Sequence, residues 1–335
     1  MFALVLIGLI AIFSYSMGNV AAAPGDTIYI NGSSGQDNWD GQLAVWNGPK
    51  TTIKNATGTV NNGGTVNIAN GLYTGVNNTN ININRNMIIV GQSSDGTIIN
   101  GNTSTIFIIA SGVNSNIFNI TLINTKSGNN GGGILNYGTL TLTNCKFINN
   151  TASNNGGAIY SGQEILPVNN CTFINNTASN NGGAISGGDT VNNCIFTNNT
   201  AGNNCGAMSG IIVTNCTFIH NTASSNTGGA IECSYRSNLN VINSTFINNT
   251  ARSGGAICNF GTTEANFNRI IGNTATNGND ICSDLGSTNA DNNWWGLNNG
   301  PSTGSIDGLT VFKWLVLSCT ENNSIIIGSD QYDHS

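Results

Sequence analysis

Asn144-Cys145-Lys146-Phe147-Ile148-Asn149-Asn150-Thr151-Ala152, followed shortly by Gly156-Gly157-Ala158-Ile159, is the stretch that decides the fold, because the chain repeats it. It returns at 170–178 with 182–185, at 193–201 with the drifted 205–208, at 215–223 with 228–231, and at 243–251 with 254–257. A worn copy around Phe267, Asn273 and Thr274 ends in Asn279-Asp280-Ile281, and an earlier one reads Asn119-Ile120-Thr121-Leu122-Ile123-Asn124 with Gly132-Gly133-Ile134. The intervals between Phe147, Phe173, Phe196, Phe218, Phe246 and Phe267 run from 21 to 28 residues. A unit this small cannot bury its own apolar face, so successive units must stack. Leucine ladders are missing, and a propeller blade needs about 40 residues. Asn-Asn-Thr and Gly-Gly in every unit oppose helices. A β-solenoid with one coil per repeat is the expectation.

Side-chain alternation agrees, since residues two apart on a strand share a face. Leu140 and Leu142 point one way, Cys145 and Phe147 point one way, and Lys146 faces solvent. Asn144, Asn170, Asn193, Asn215 and Asn243 fall between such pairs, where the chain must bend. Asn tolerates left-handed backbone, and its amide can bond the Asn of the next coil. The glycine pairs mark a further corner, after which Ile159, Ile185, Ile231 and Ile257 return to the core. Parallel coils about 4.8 Å apart then place Phe over Phe, from Phe147 to Phe267, and Asn over Asn. Each buried Phe or Ile contributes roughly 1.5–3 kcal/mol, accumulated along the stack. Cys145, Cys171, Cys194 and Cys216 share one inward position, taken by Ser244 in the next coil, and read as small apolar core residues. Cys258 and Cys282 follow the Ile of neighbouring coils, which leaves a disulfide between them open.

Composition narrows the function. Of 335 residues, 62 are Asn, 44 Gly and only 4 Pro, while 39% are apolar and 7% charged. A chain so poor in charge is not held open by self-repulsion. A net charge of −6 gives no basic footprint for nucleic acid. Residues 2–13 form an apolar run of signal-peptide length, followed by Ala21-Ala22-Ala23, so 1–23 reads as a signal peptide that crosses the membrane during export only. The expected location is extracellular or at the cell surface. Residues 24–66 read as an N-terminal cap with the first strands. There Ile53, Ala56 and Val60, spaced at i, i+3 and i+7 after Pro49, predict a short helix across the first coil. Residues 67–300 read as the solenoid and 301–335 as a tail of one or two strands. Trp294, Trp295 and Trp314 are expected to cover the far end, with sugar stacking on Trp294 and Trp295 as the sharper reading.

The paired Gly-Gly-Ala-Ile and F-x-x-N elements (Phe147 with Asn150, Phe173 with Asn176, Phe218 with Asn221, Phe246 with Asn249) resemble the repeats of chlamydial polymorphic outer-membrane proteins. The whole chain resembles the adhesin-like surface proteins of methanogenic archaea. Gly25 to Ile30 with Gly64-Thr65-Val66 and Gly71-Leu72-Tyr73 is similar to the opening module of that group. Val90-Gly91-Gln92 through Gly101 is similar to an early rung, and Asn292-Asn293-Trp294-Trp295-Gly296 through Pro301 to the closing segment. The resemblance implies a right-handed parallel β-helix at the cell surface, and residues 301–335 as the place where a following domain starts.

Enzymes that cleave acidic polysaccharides share that architecture, and their chemistry needs clustered charge. Between 140 and 260 the only acids are Glu164, Asp189 and Glu232 and the only bases Lys146, Arg236 and Arg252, at different phases of the coil. Asp280, Asp284 and Asp291 form the densest acidic group and read as solvated loops. No C-x-x-C occurs and His is scarce, so no metal, cofactor or catalytic residue is assigned. Sequons at Asn149, Asn175, Asn198 and Asn248 follow from the Asn-Asn-Thr turn of the repeat. The expected function is a non-catalytic, adhesin-like protein binding polysaccharide or another cell envelope through many weak repeated contacts. The alternative is a degenerate or active lyase or glycoside hydrolase of the pectate-lyase-like class.

Overall fold

The computed structural model describes residues 26–38, 40–42, 48–162, 165–319 and 325–331, so the expected signal segment and Glu164 lie outside the described residues. The chain is all-β, with parallel strands stacked into a solenoid of about 10 turns. Its sides are parallel sheets of eleven, nine and ten strands, and a five-strand sheet of short strands turns one edge. One central coil shows the order. Thr139–Thr143 lies in the eleven-strand sheet, Lys146–Ile148 in the nine-strand sheet, Thr151–Ala152 in the five-strand sheet and Ile159–Ser161 in the ten-strand sheet. Val168–Asn169 then opens the next coil beside Leu142 and Thr143. The stack begins at Thr27–Ile30, paired with 65–68, and runs to Ile306–Asp307, paired with Ile281 and Cys282.

In-register pairing sets Phe147, Phe173, Phe196, Phe218 and Phe246 in one fully buried file. Their ring centroids lie 4.7–4.9 Å apart, within 5° of parallel. Leu122 precedes this file. Phe267 does not continue it, a correction to the sequence expectation: Ile270 pairs with Phe246, and Phe267 is 54% exposed. Phe267 occupies the corner that Asn243 fills one coil earlier, in left-handed backbone with φ 60°. Spacing shows why. Asn249 follows Phe246 by three residues and Asn273 follows Ile270 by three, so register, not the letter F, marks the equivalent position.

The corner asparagines bend as expected. Asn144, Asn170, Asn193, Asn215 and Asn243 have φ between 52° and 55°. Some amides link across coils, Asn144 Nδ2 to Asn119 Oδ1 at 2.8 Å and Asn193 Nδ2 to Asn170 Oδ1 at 2.6 Å. The Gly-Gly corner is equally constrained. Gly156 has φ 68°, and a Cβ on Gly157 would lie 2.1 Å from the carbonyl oxygen of Gly183 in the next coil.

A second asparagine file runs inside. Asn150, Asn176, Asn199, Asn221 and Asn249 are fully buried, and Asn273 nearly so. Each amide oxygen accepts both the backbone N–H and the Nδ2 of the preceding Asn, as when Asn176 Oδ1 takes Asn150 N at 3.1 Å and Nδ2 at 3.0 Å. Each Nδ2 also donates to a carbonyl one coil back, Asn150 to Leu122 O at 3.1 Å and the later ones to Phe, as Asn176 to Phe147 O at 3.0 Å. The file is directional and its ends are matched to that. Thr125 begins it with two donors, its N–H at 3.2 Å and its hydroxyl at 2.8 Å from Asn150 Oδ1. Asp280 ends it as a pure acceptor, 2.9 Å from Asn273 Nδ2. Asp280 is therefore buried, at 5% exposure, and not a solvated loop residue, while Asp284 is exposed.

The inward cysteines also hydrogen-bond. The N–H groups of Cys145, Cys171 and Cys194 donate to the thiol of the next coil at 3.3–3.4 Å, and Cys216 N donates to Ser244 Oγ at 3.1 Å. Ser244 N then donates to Asn268 Oδ1 and Asn268 N to Asn293 Oδ1, both at 2.8 Å. Cys, Ser and Asn interchange here because each side chain accepts one amide hydrogen. Cys258 and Cys282 pair in register and are free thiols.

Both ends are covered. Helix α1 (Ile53–Thr59) lies across the first coil with Ile53, Ala56 and the following Val60 fully buried. Its first N–H donates to Asn78 Oδ1 at 2.9 Å, and Asp37 accepts the N–H of Thr51 and Thr52. At the other end Trp295 and Trp314 join the core, and Trp314 Nε1 donates to Asn298 O at 2.9 Å. Lys313–Cys319 and Ile325–Gln331 form an antiparallel pair, tied to the solenoid where Trp314 bridges Asn293. Among the described residues no helix is long and apolar enough to cross a membrane.

Candidate functional site

The Thr-Phe-Ile strands that bury Phe turn their other two side chains outward, so the nine-strand sheet carries two outer files. One reads Lys146, Thr172, Ile195, Thr217, Thr245, Arg269, and the other Ile123, Ile148, Ile174, Thr197, Ile219, Ile247, Ile271. The first file borders the exposed corner asparagines Asn144, Asn170, Asn193, Asn215 and Asn243. The second borders another exposed left-handed corner, Asn149, Asn175, Asn198, His220 and Asn248, where the sequon asparagines stand. The result is a flat β-branched platform between two amide rails.

From Thr172 to Ile247 this platform and its rails contain no Asp, Glu, Lys or Arg. Charge appears at the margins: Lys146 pairs with Asp95, and the Arg269 guanidinium lies 5.4 Å from the Trp294 ring centre. Along the corner between the eleven- and nine-strand sheets runs a groove of about 280 Å³, lined by Asn170, Thr172, Asn193, Ile195, Asn215 and Thr217 with Cys171 and Cys194. Ile195 is 46% exposed in its middle. Burial, then the neighbouring thiols of Cys145 and Cys194, push the Cys171 thiol well up, so it sits in the wall as a neutral group.

Trp294 and Trp295 do not form an exposed pair. Trp295 is buried at 6% exposure and Trp294 is half-buried beneath Arg269, an arrangement of the covering kind rather than a double stacking surface. The carboxylates do not converge either. Glu232 packs against Thr227 with its carboxyl raised by burial, Asp280 ends the inner amide file, and Asp291 accepts the N–H groups of Phe312 and Lys313. Among the described residues no three His, Cys, Asp or Glu are placed to hold a metal ion. The sequence reading missed the inner Asn file and its caps. The signal was present in the fixed step from Phe to the second Asn of each Asn-Asn-Thr.

The sequence model of the Chlamydia polymorphic membrane protein repeat matches residues 144–162, 170–188 and 243–259. That family is a surface-protein repeat and not an enzyme family. No curated protein and no solved structure matches the chain.

Proposed function

We propose that the chain is a non-catalytic, adhesin-like protein of the cell surface, of the kind it resembles in methanogenic archaea. It binds polysaccharide or another cell envelope through the repeated lateral face of its β-helix. The observation that carries this reading is the uncharged platform between two asparagine rails, repeated coil after coil. One coil offers a ligand only an amide, a hydroxyl and a few methyl groups, and several coils in line convert weak contacts into avidity. The repeat family, being that of a surface protein, supports the location.

The test is a binding assay of the purified protein on a panel of neutral and acidic polysaccharides and on isolated envelopes, with soluble products measured in parallel. Saturable binding without released oligosaccharide is the expected result. Oligosaccharide release would replace the reading by the lyase or hydrolase alternative, and no binding to any member would leave an architectural wall component.

A further inference from the structure

We infer that the groove between the eleven- and nine-strand sheets takes an uncharged, extended glycan lying parallel to the helix axis, about one sugar ring per coil. This rests on the binding role proposed above and adds to it a place, an orientation and the charge of the ligand. Three successive coils each present an amide and a β-branched side chain to the groove: Asn170 with Thr172, Asn193 with Ile195, and Asn215 with Thr217. The spacing is that of the coils, about 4.8 Å, which is close to the length of one pyranose in an extended chain. A sugar ring has an apolar C–H face and a hydroxyl edge. The Thr and Ile methyl groups suit the face, and the amides suit the edge.

The three amides are exposed, and the ladder does not exhaust them. Asn193 spends one N–H on Asn170, which leaves it a second N–H and an oxygen. No residue lining the groove carries a carboxylate, ammonium or guanidinium group. An acidic chain laid there would lose hydration with no cation to replace it, whereas a neutral chain exchanges one set of hydrogen bonds for another.

The whole protein is titrated with cellohexaose and laminarihexaose, both neutral, and with polygalacturonate, at low and high salt. Two variants probe the groove. Asn193→Gly removes an amide while keeping the left-handed corner that glycine tolerates, and Ile195→Glu places a charge on an exposed position. Asn240→Ser, on the outer face of the eleven-strand sheet, is the control. The expected result is salt-independent binding of a neutral hexasaccharide, weakened about tenfold by Asn193→Gly, abolished by Ile195→Glu and unchanged by Asn240→Ser. Neutral binding that both groove variants retain would overturn the placement while leaving the adhesin-like role standing. Salt-sensitive preference for polygalacturonate would overturn the uncharged ligand. No binding of any of the three by the unaltered protein would overturn the inference, and the wider polysaccharide and envelope panel then decides the role separately.

Discussion

The central coils and the C-terminal coils solve the same packing problem with different residues. Between 144 and 251 three interior files repeat themselves: Phe on Phe, Asn on Asn, and Cys on Cys as far as Cys216. Towards the C-terminus these three files change occupant, while the Ile file runs on through Ile257, Ile281 and Ile306. Phe gives way to Ile270, Asn to Asp280, and Cys to Ser244, Asn268 and Asn293 in turn. The geometry survives because each replacement keeps the one property its file requires, apolar volume in the first and a correctly directed hydrogen-bond partner in the others. Identity of the side chain gives uniformity, while complementarity gives stability.

Several substitutions would break or sharpen that contrast. The largest effect is expected from Phe196→Ala in the middle of the aromatic file, about 3–5 kcal/mol by analogy with other buried Phe truncations. Chemical denaturation reads it, and a loss below about 1 kcal/mol would mean that the coils re-close around the gap. Asn199→Ala comes next. It strands the Asn176 N–H and Nδ2 and the Phe173 carbonyl, with about 3 kcal/mol lost, since each orphaned buried group costs roughly 1–3 kcal/mol before relaxation. A loss no greater than at an exposed Asn such as Asn149 would deny the inner file its role.

At the C-terminal end, Asp280→Ala should cost about 1–3 kcal/mol by leaving Asn273 Nδ2 without its acceptor. Burial raises the Asp280 carboxyl above its ordinary 3.8, against hydrogen bonds from Asn273 and Ser305. The folded state therefore holds the proton more tightly than the unfolded chain. This stabilisation is complete below 3.8 and is lost as pH rises through the raised value. Stability of the unaltered protein relative to Asp280→Asn should accordingly grow on acidification across that window. A difference flat in pH would show that the carboxyl is not desolvated. Phe267→Asn should stabilise by about 1 kcal/mol, because it restores the residue that tolerates left-handed backbone at this corner. A lower unfolding midpoint would reveal an unrecognised contact of the ring. Cys194→Ser should change stability least, by less than about 1 kcal/mol, since Ser244 already accepts the N–H of Cys216 in the same file. A large loss would make sulfur size decisive there.

Most of the fold was legible because a solenoid is quasi-one-dimensional. The distance between equivalent residues in sequence sets which residues touch in space, so the period, the alternation of Leu140, Leu142, Cys145 and Phe147, and the capping spacing of Ile53, Ala56 and Val60 could be read directly. The worn copy misled because two Phe letters were matched across a change of three in register. The candidate face was only half legible. Alternation places Thr172 and Ile174 outward, but nothing in the linear order shows that the corner asparagines flank them as rails.

The sequence by itself determined that like residues stack coil on coil, since the period and the two-residue alternation leave no other way to bury one Phe and one Ile per repeat. Only the tertiary structure decided which of two adjacent asparagines, Asn149 or Asn150, faces water and which is buried. The two have the same chemistry and differ in environment. Asn149 takes the left-handed turn outward, and Asn150, one residue later, meets the amides of the coils above and below.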